Sequence, residues 1–175
     1  MGRAKLTGAA AVVGQLNSKS FVSANSHGFT MASVALRLAR IPVSCATTGE
    51  RTYGFTFPVG SIVQNVYLDV NTREQTASNK TIDIGLLSSE TLGDADGFLD
   101  GVSTASVGAV QGSTAIGAAA RTLGVLLLDG STASADLSRK HHIVRGSNAV
   151  TLSSTVAEVQ TELVADIVVQ YLAVD

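Results

Sequence analysis

The sequence predicts an all-β protein, an antiparallel β-sandwich or jelly roll that follows an extended N-terminal arm. Three observations predict this fold. Apolar and polar residues alternate with period two over much of the chain, the alternating segments are short, and turn residues separate them. The spacing gives about eight or nine strands, which is typical of sandwiches and not of βαβ units.

The composition limits the class of protein and its partners. The 175 residues are enough for one domain, or for one domain and an arm. Charged residues make up 15% of the chain, against about 25% in average proteins, and the net charge is −2. This balance disfavours nucleic acid as a partner, and a surface so poor in charge is typical of a protein that buries it against neighbours. No segment reaches the ~18 apolar residues of a membrane span, so no membrane partner is expected.

The N-terminal residues 1–32 are predicted to form the arm, and residues 33–175 the sandwich domain. The arm is rich in Gly, Ala, Ser and Asn and has no sustained period, so contacts with another surface would give it order. The alternative is that the arm adds a strand to its own sandwich. The residues expected to contact a partner are Arg3, Lys5, Leu6, Val12, Val13, Leu16 and Phe21.

The domain begins with an ambiguous segment and a predicted hairpin. Residues 30–40 have helix propensity and also a strand-like alternation. Residues 41–45 and 53–57 alternate and flank a plausible turn, which predicts that they pair as a hairpin. Cys45, the one cysteine, can form no disulfide within the chain, and we expect a small buried side chain.

The central elements are predicted from alternation and composition. Residues 66–70 and 82–86 alternate on either side of a polar loop at 71–80, which predicts two strands. Residues 92–101 are rich in Gly and Asp and predict turns. Residues 102–120 are a low-complexity stretch that is either a long loop or a short strand.

The last elements are a buried strand, a hairpin and a closing strand. The apolar run 123–128 is typical of a strand that is buried on both faces. Residues 141–145 and 149–153 flank Gly-Ser-Asn, a three-residue hairpin connection. Thr155 followed by Glu158 fits a capping box, which predicts a loop or one helical turn before a strand that ends the domain. The residues predicted to form the core are Phe55, Phe57, Val66, Leu68, Ile82, Ile84, Leu126 and Ile167.

The histidines do not point to catalysis or to a metal site. His141 and His142 are adjacent, so on a strand they would point to opposite faces and could not hold one metal ion without distortion. We expect neither of them, nor His27, to lie in a cleft with a carboxylate and a serine. No catalytic residue, metal ligand or cofactor is predicted.

The acidic segment at Asp94, Asp96 and Asp100 is the strongest alternative site. It does not fit the calcium-loop pattern D-x-[DN]-x-[DN]-G, because no third ligand and no glycine follow Asp94 and Asp96 at the required spacing. We expect glycine-containing turns in which the aspartates bond nearby backbone.

Four segments carry a resemblance to a known family. They are VYLDVNT at 66–72, KTIDIGLL at 80–87, GDADGFLDGV at 93–102 and IVVQYL at 167–172. In this order they resemble the capsid decoration (cement) and minor virion structural proteins of tailed bacteriophages. In those proteins strands reading LDV-T and (L/I)DVG precede a D-(L/F)(L/I)DG loop, and a V-Y(L/I) strand ends the chain. The resemblance covers roughly residues 59–175.

The resemblance implies a jelly-roll sandwich that binds the outer capsid surface and stabilises capsomer junctions. Its partner would be the major capsid protein, and the chain would form a homo-oligomer, a trimer rather than a dimer. It would be made in the bacterial cytoplasm and carried on the virion. No catalytic site, metal or cofactor is implied.

Three alternatives follow from the same sequence. One is another structural role in the virion. A second is a receptor- or glycan-binding module, which the absence of Trp disfavours, and Tyr53, Phe55 and Phe57 are better explained as core. A third is a hydrolase that uses two of the three aspartates as paired carboxylates.

Overall fold

The computed structural model describes residues 34–114, 121–129, 138–145 and 148–174. Within these ranges the chain consists of strands and loops, with no helix. No described segment is therefore a helix that could span a membrane. The strands in chain order are β1 (Val34–Pro42), β2 (Gly49–Phe57), β3 (Ile62–Thr72), β4 (Thr81–Leu86), β5 (Asp94–Ser103), β6 (Gly108–Gln111), β7 (Leu128–Asp129), β8 (Ser138–Arg139), β9 (His142–Ile143), β10 (Val150–Val156) and β11 (Val164–Val174).

The long strands form two antiparallel sheets that face each other. The first sheet has the order β1-β11-β3-β6, and the short β9 also pairs with β3. The second sheet has the order β2-β10-β4-β5. Every pairing is antiparallel, and β7 and β8 form a separate two-stranded ribbon. The predicted all-β antiparallel sandwich is thus confirmed.

The pairs are nested along the chain. β1 pairs with β11, β2 with β10, β3 with β6, and β4 with β5. One further pairing in each sheet joins two of these pairs, β11 with β3 in the first sheet and β10 with β4 in the second. Consecutive long strands therefore alternate between the sheets, except at the β4–β5 hairpin.

The core lies between the sheets and follows the period-two pattern. In β3, Val66, Leu68 and Val70 are buried, and the residues between them are half-buried on the outer face. Six of the eight predicted core residues are at most 1% exposed. The other two, Phe55 and Leu126, are partly buried against the same cluster.

Aromatic rings pack edge to face in this core. Phe57 contacts Phe55, Phe98 and Tyr171, with ring centroids 5.0 to 5.8 Å apart. This geometry suits the aromatic quadrupole and adds to the energy of burial. Cys45 is 4% exposed, as expected, and burial raises the pKa of its thiol to about 11.

Both predicted hairpins are wrong, although each of the predicted segments contains strand residues. Residues 41–42 belong to β1, which pairs with β11, whereas residues 53–57 belong to β2, which pairs with β10 in the other sheet. Likewise β9 pairs with β3, and β10 with β2 and β4. Alternation specifies which face of a strand is buried, but it does not specify which strand pairs with it.

Two further regions, 92–101 and 123–128, also differ from the prediction. Residues 92–101, predicted as turns, form most of β5, which pairs with β4 through two irregularities. The run 123–128 is not a continuous strand, because Leu123 bridges Leu99 and a turn follows. Gly124 allows this close approach, since a Cβ there would lie 2.2 Å from the carbonyl oxygen of Asp96.

Segments whose conformation the sequence left open are strand or loop in the structure, and none of their described residues is helical. From Val34 onward, residues 30–40 are strand and not helix. The capping box at Thr155 and Glu158 begins no helix, and residues 157–163 are a loop that leads into β11. The polar loop at 71–80 is confirmed in position, since β3 ends at Thr72 and β4 begins at Thr81.

Candidate interaction surfaces

The residues expected to bind a partner lie outside the described part of the chain. They are Arg3, Lys5, Leu6, Val12, Val13, Leu16 and Phe21, and the structure assigns none of them a position. His27 also falls there. The described residues offer three other places of interest: an outer sheet face, a groove at one end, and a loop built on a buried carboxylate.

The outer face of the first sheet carries a row of apolar side chains across four strands. The strand register aligns Leu36 of β1 with Leu172 of β11, Ile62 of β3 and Ile143 of β9. Leu36 is 68% exposed, Ile143 is 41% exposed, and the middle two are half-buried. These four residues are called the apolar row below. Leu38, 64% exposed, lies next to the row on the edge strand.

The other end of the same face is charged. The Arg40 guanidinium donates to the carboxylates of Asp69 and Asp166, with N–O distances of 2.5 and 2.9 Å. The Asn71 amide also donates to Asp166. These carboxylates raise the pKa of Arg40, the hydrogen bond to Asp69 most. The face thus divides into an apolar end and an ion-paired end.

A groove lies where the β4–β5 loop meets the segment before β10. It consists of two adjoining cavities of about 440 and 530 Å³ that share Leu92 and Arg145. Leu92 is 60% exposed and has a φ of +70°, a left-handed conformation that costs energy for a residue with a bulky side chain. A strained, exposed apolar side chain therefore stands between the two cavities.

Carboxylates fix the loop that carries Leu92. Glu90 accepts hydrogen bonds from the backbone N–H and the hydroxyl of Thr151, at 2.7 and 2.6 Å. Glu50 accepts from the backbone N–H of Ser88 and from the hydroxyl of Ser153. Burial opposes the ionisation of Glu50, but these hydrogen bonds lower its pKa. The loop is thereby attached to β2 and β10.

Basic side chains line the larger cavity together with one carboxylate. Lys140, His141 and Arg145 are exposed, and the half-buried His142 packs its ring against Phe98 at 5.9 Å. Burial lowers the pKa of His142, and the charges of Lys140 and Arg145 lower it further. His141 lies outside the strand that contains His142, so the predicted opposition of two strand residues does not arise.

The acidic segment lies along β5, with one residue in the groove. Burial, a hydrogen bond to Asp96 and the charge of Asp96 raise the pKa of Asp94 to about 6. Burial raises the pKa of Asp83, and the charges of Asp100 and Asp96 raise it further. The hydrogen bond that its carboxylate accepts from the backbone N–H of Gly101 acts in the opposite direction. Asp94 can therefore exchange a proton near pH 6. No group of three or more potential metal ligands occurs within the described ranges.

A buried carboxylate that the sequence did not reveal organises the 71–80 loop. Glu74 is 1% exposed and accepts backbone N–H bonds from Gln75, Thr76, Ala77 and Glu162. The bond from Ala77 contributes most to holding the pKa of Glu74 at about 2. The carboxylate of Glu162 accepts the N–H of Gln75 in return.

The same loop is held from a second side. Glu158 accepts the backbone N–H groups of Ser78 and Asn79, which lower its pKa. The buried Gln160 accepts the hydroxyl of Thr104 and donates to the carbonyl of Thr81. The loop before β11 thus supplies the groups that satisfy the loop before β4, which is a structural role.

The exposed apolar side chains of the described chain are aliphatic. The larger ones are Leu36, Leu38, Val59, Leu92, Val107, Val125, Ile143, Val159 and Val164. Phe57, Phe98 and Tyr171 are buried, and Tyr53 and Phe55 are partly buried against the core. The described surface therefore offers aliphatic contacts to a partner and no fully exposed aromatic platform on which a sugar would stack.

Comparison with known proteins gives a likeness to a solved phage capsid structure. No protein-family model matches the chain, and no curated protein matches it. A chain in the acidic stable capsid structure of Helicobacter pylori bacteriophage KHP30 matches with a TM-score of 0.43 and 14% sequence identity. The match covers 82% of this chain and 94% of that chain.

Proposed function

We propose that this chain is a virion structural protein of jelly-roll fold that decorates the outer surface of a tailed-phage capsid. The observation that carries the proposal is the nested strand pairing. A jelly roll is a long antiparallel hairpin of four strand pairs that is rolled into two sheets. The pairs β1–β11, β2–β10, β3–β6 and β4–β5 follow that scheme.

The resemblance to decoration proteins supports the same proposal, because its segments pair in the folded chain. The segment 66–72 lies in β3, which pairs with β11, the strand that contains 167–172. The segments 80–87 and 93–102 contain β4 and most of β5, which pair with each other. The four segments are therefore two neighbouring strand pairs rather than scattered fragments.

In this proposal the major capsid protein is the partner and the N-terminal arm is the anchor. Its apolar side chains would enter the capsid surface, and Arg3 and Lys5 would meet acidic groups there. The arm has too few apolar residues to order itself, since each ordered residue costs roughly 1–2 kcal/mol of backbone entropy. A homo-oligomer, a trimer in preference to a dimer, would place several arms around one capsomer junction.

Co-sedimentation with capsids assembled from the major capsid protein of the same phage tests the proposal. The intact chain should pellet with the capsids. A variant without residues 2–25 should stay in the supernatant and keep the thermal midpoint of the intact chain. The double variant Arg3→Glu and Lys5→Glu should bind more weakly, and Arg73→Glu, an exposed residue of the 71–80 loop, should bind normally. Normal pelleting of the deletion variant, or its loss of folding, would exclude the arm as the anchor.

A further inference from the structure

The apolar row is a surface that the described residues leave uncovered. Four aliphatic side chains on adjacent strands form it, and its two ends, Leu36 and Ile143, are the most exposed. A contiguous apolar patch of this kind marks a contact site in a soluble protein. The edge strand β1 adds to it, because the backbone groups on its outer side pair with no described strand.

We propose that residues 29–33 of the same chain cross this face and cover the apolar row. β1 begins at Val34, two residues before Leu36, so the preceding residues emerge beside one end of the row. The row crosses three strand spacings, about 14 Å in total. Five extended residues span roughly 17 Å, which matches that width.

The chemistry of the segment matches the surface. Residues 29–33 read Phe-Thr-Met-Ala-Ser, and in an extended chain Phe29 and Met31 point to the same side. No charged residue occurs between Lys19 and Arg37. An uncharged segment with two large apolar side chains suits the apolar end of the face and not the end that holds Arg40, Asp69 and Asp166.

Coverage by the same chain is favoured over coverage by another molecule. The segment is joined directly to the row, so its effective concentration there exceeds that of any separate partner. The proposal does not depend on a role in the virion. It attaches the last residues of the N-terminal arm to the sheet, and the residues before Gly28 remain available to contact another surface.

Disulfide trapping tests the proposal in the full-length chain. Cys45→Ala removes the native thiol, and Met31→Cys with Leu172→Cys places one thiol in the segment and one in the row. Phe29→Cys with Ile143→Cys is a second pair that tests the far end of the row. The control combines Met31→Cys with Val107→Cys. Val107 is 65% exposed and precedes Gly108, which pairs with Val70 at the charged end of the sheet.

Mild oxidation at low protein concentration should give an internal disulfide in both test pairs, detected as an oxidised monomer and by the cross-linked peptide in mass spectrometry. The control pair should stay largely reduced. A disulfide-linked dimer in the test pairs would overturn the proposal and assign the row to a second copy. Equal oxidation of test and control pairs, or no disulfide in either, would also overturn it.

Discussion

Glu74 places a full negative charge inside the protein, where backbone N–H groups and the hydroxyl of Thr76 satisfy it. Its carboxylate accepts four backbone N–H groups, and the two loops that supply them are more than eighty residues apart in the chain. Hydrogen bonds of this kind favour the charged form, so they hold the pKa of Glu74 at about 2. Protonation of this one group therefore weakens the contact between two loops.

The variant Glu74→Gln should lower the thermal midpoint at neutral pH, because a neutral amide accepts these bonds less strongly and adds donors that find no partner. The folded-state pKa lies below the ordinary value of 4.5, so the stabilisation is complete above that value and is lost as the pH falls towards 2. Melting curves from pH 7 to pH 2 should therefore converge for the two proteins at the acidic end. Asp129→Asn, on an exposed residue, is the control, and a constant gap at all pH values would contradict the prediction.

Leu92 provides a second prediction at the scale of one residue. Its φ of +70° costs about 1 kcal/mol or more, and glycine adopts this conformation without strain. Leu92→Gly should therefore raise the thermal midpoint by about 2–4 °C, measured by calorimetry. Leu92→Ala keeps the strain and should give no rise. An equal effect of both substitutions would mean that the backbone strain is not what Leu92 contributes.

At the scale of an element, β1 shows what the period of two predicts. Ile41 is 8% exposed and faces the core, whereas Leu38 is 64% exposed on the outer face of the same strand. Ile41→Ala should cost about 2–5 kcal/mol, because it leaves a cavity. Leu38→Ala should change the free energy of unfolding by about 0.5 kcal/mol or less. Chemical denaturation of both variants measures this difference, and similar losses would mean that the register of β1 on β11 is wrong.

The elements also show why some pairings were predictable and others were not. Ile82 and Ile84 alternate with polar residues, and this pattern suffices to place them in the core. The strand at 53–57 was equally clear, but its partner is β10, about one hundred residues later, and no local signal encodes that choice. Gly97 was taken for a turn residue and Gly124 for part of a buried strand, whereas Gly124 lets its backbone approach that of Asp96 and Gly97 closely. The role of Glu74 went unnoticed and Glu158 was assigned to a capping box, because the loops that these two carboxylates join are about eighty residues apart in the chain.

At the scale of the whole molecule, the sequence predicted the sandwich and most of its core, but the hairpins it suggested belong to different sheets. Local patterning is read over a few residues, whereas the nested pairing is decided by contacts between distant segments. The candidate site was less predictable than the fold. The apolar row joins Leu36, Ile62 and Leu172, which become neighbours only through the register of three strands.

Nested pairing also determines when the protein can fold. Arg40 and Asp166, which form an ion pair across β1 and β11, are 126 residues apart in the chain. Proteins dominated by such distant contacts fold slowly, because loop closure must precede the energy gained from pairing. On the ribosome, β1 emerges early, and Ile41, which is buried in the folded core, stays unprotected until β11 has been synthesised. The first sheet therefore cannot be completed before β11 has been synthesised, and the unpaired edge of β1 is where a growing chain is most at risk of pairing with another.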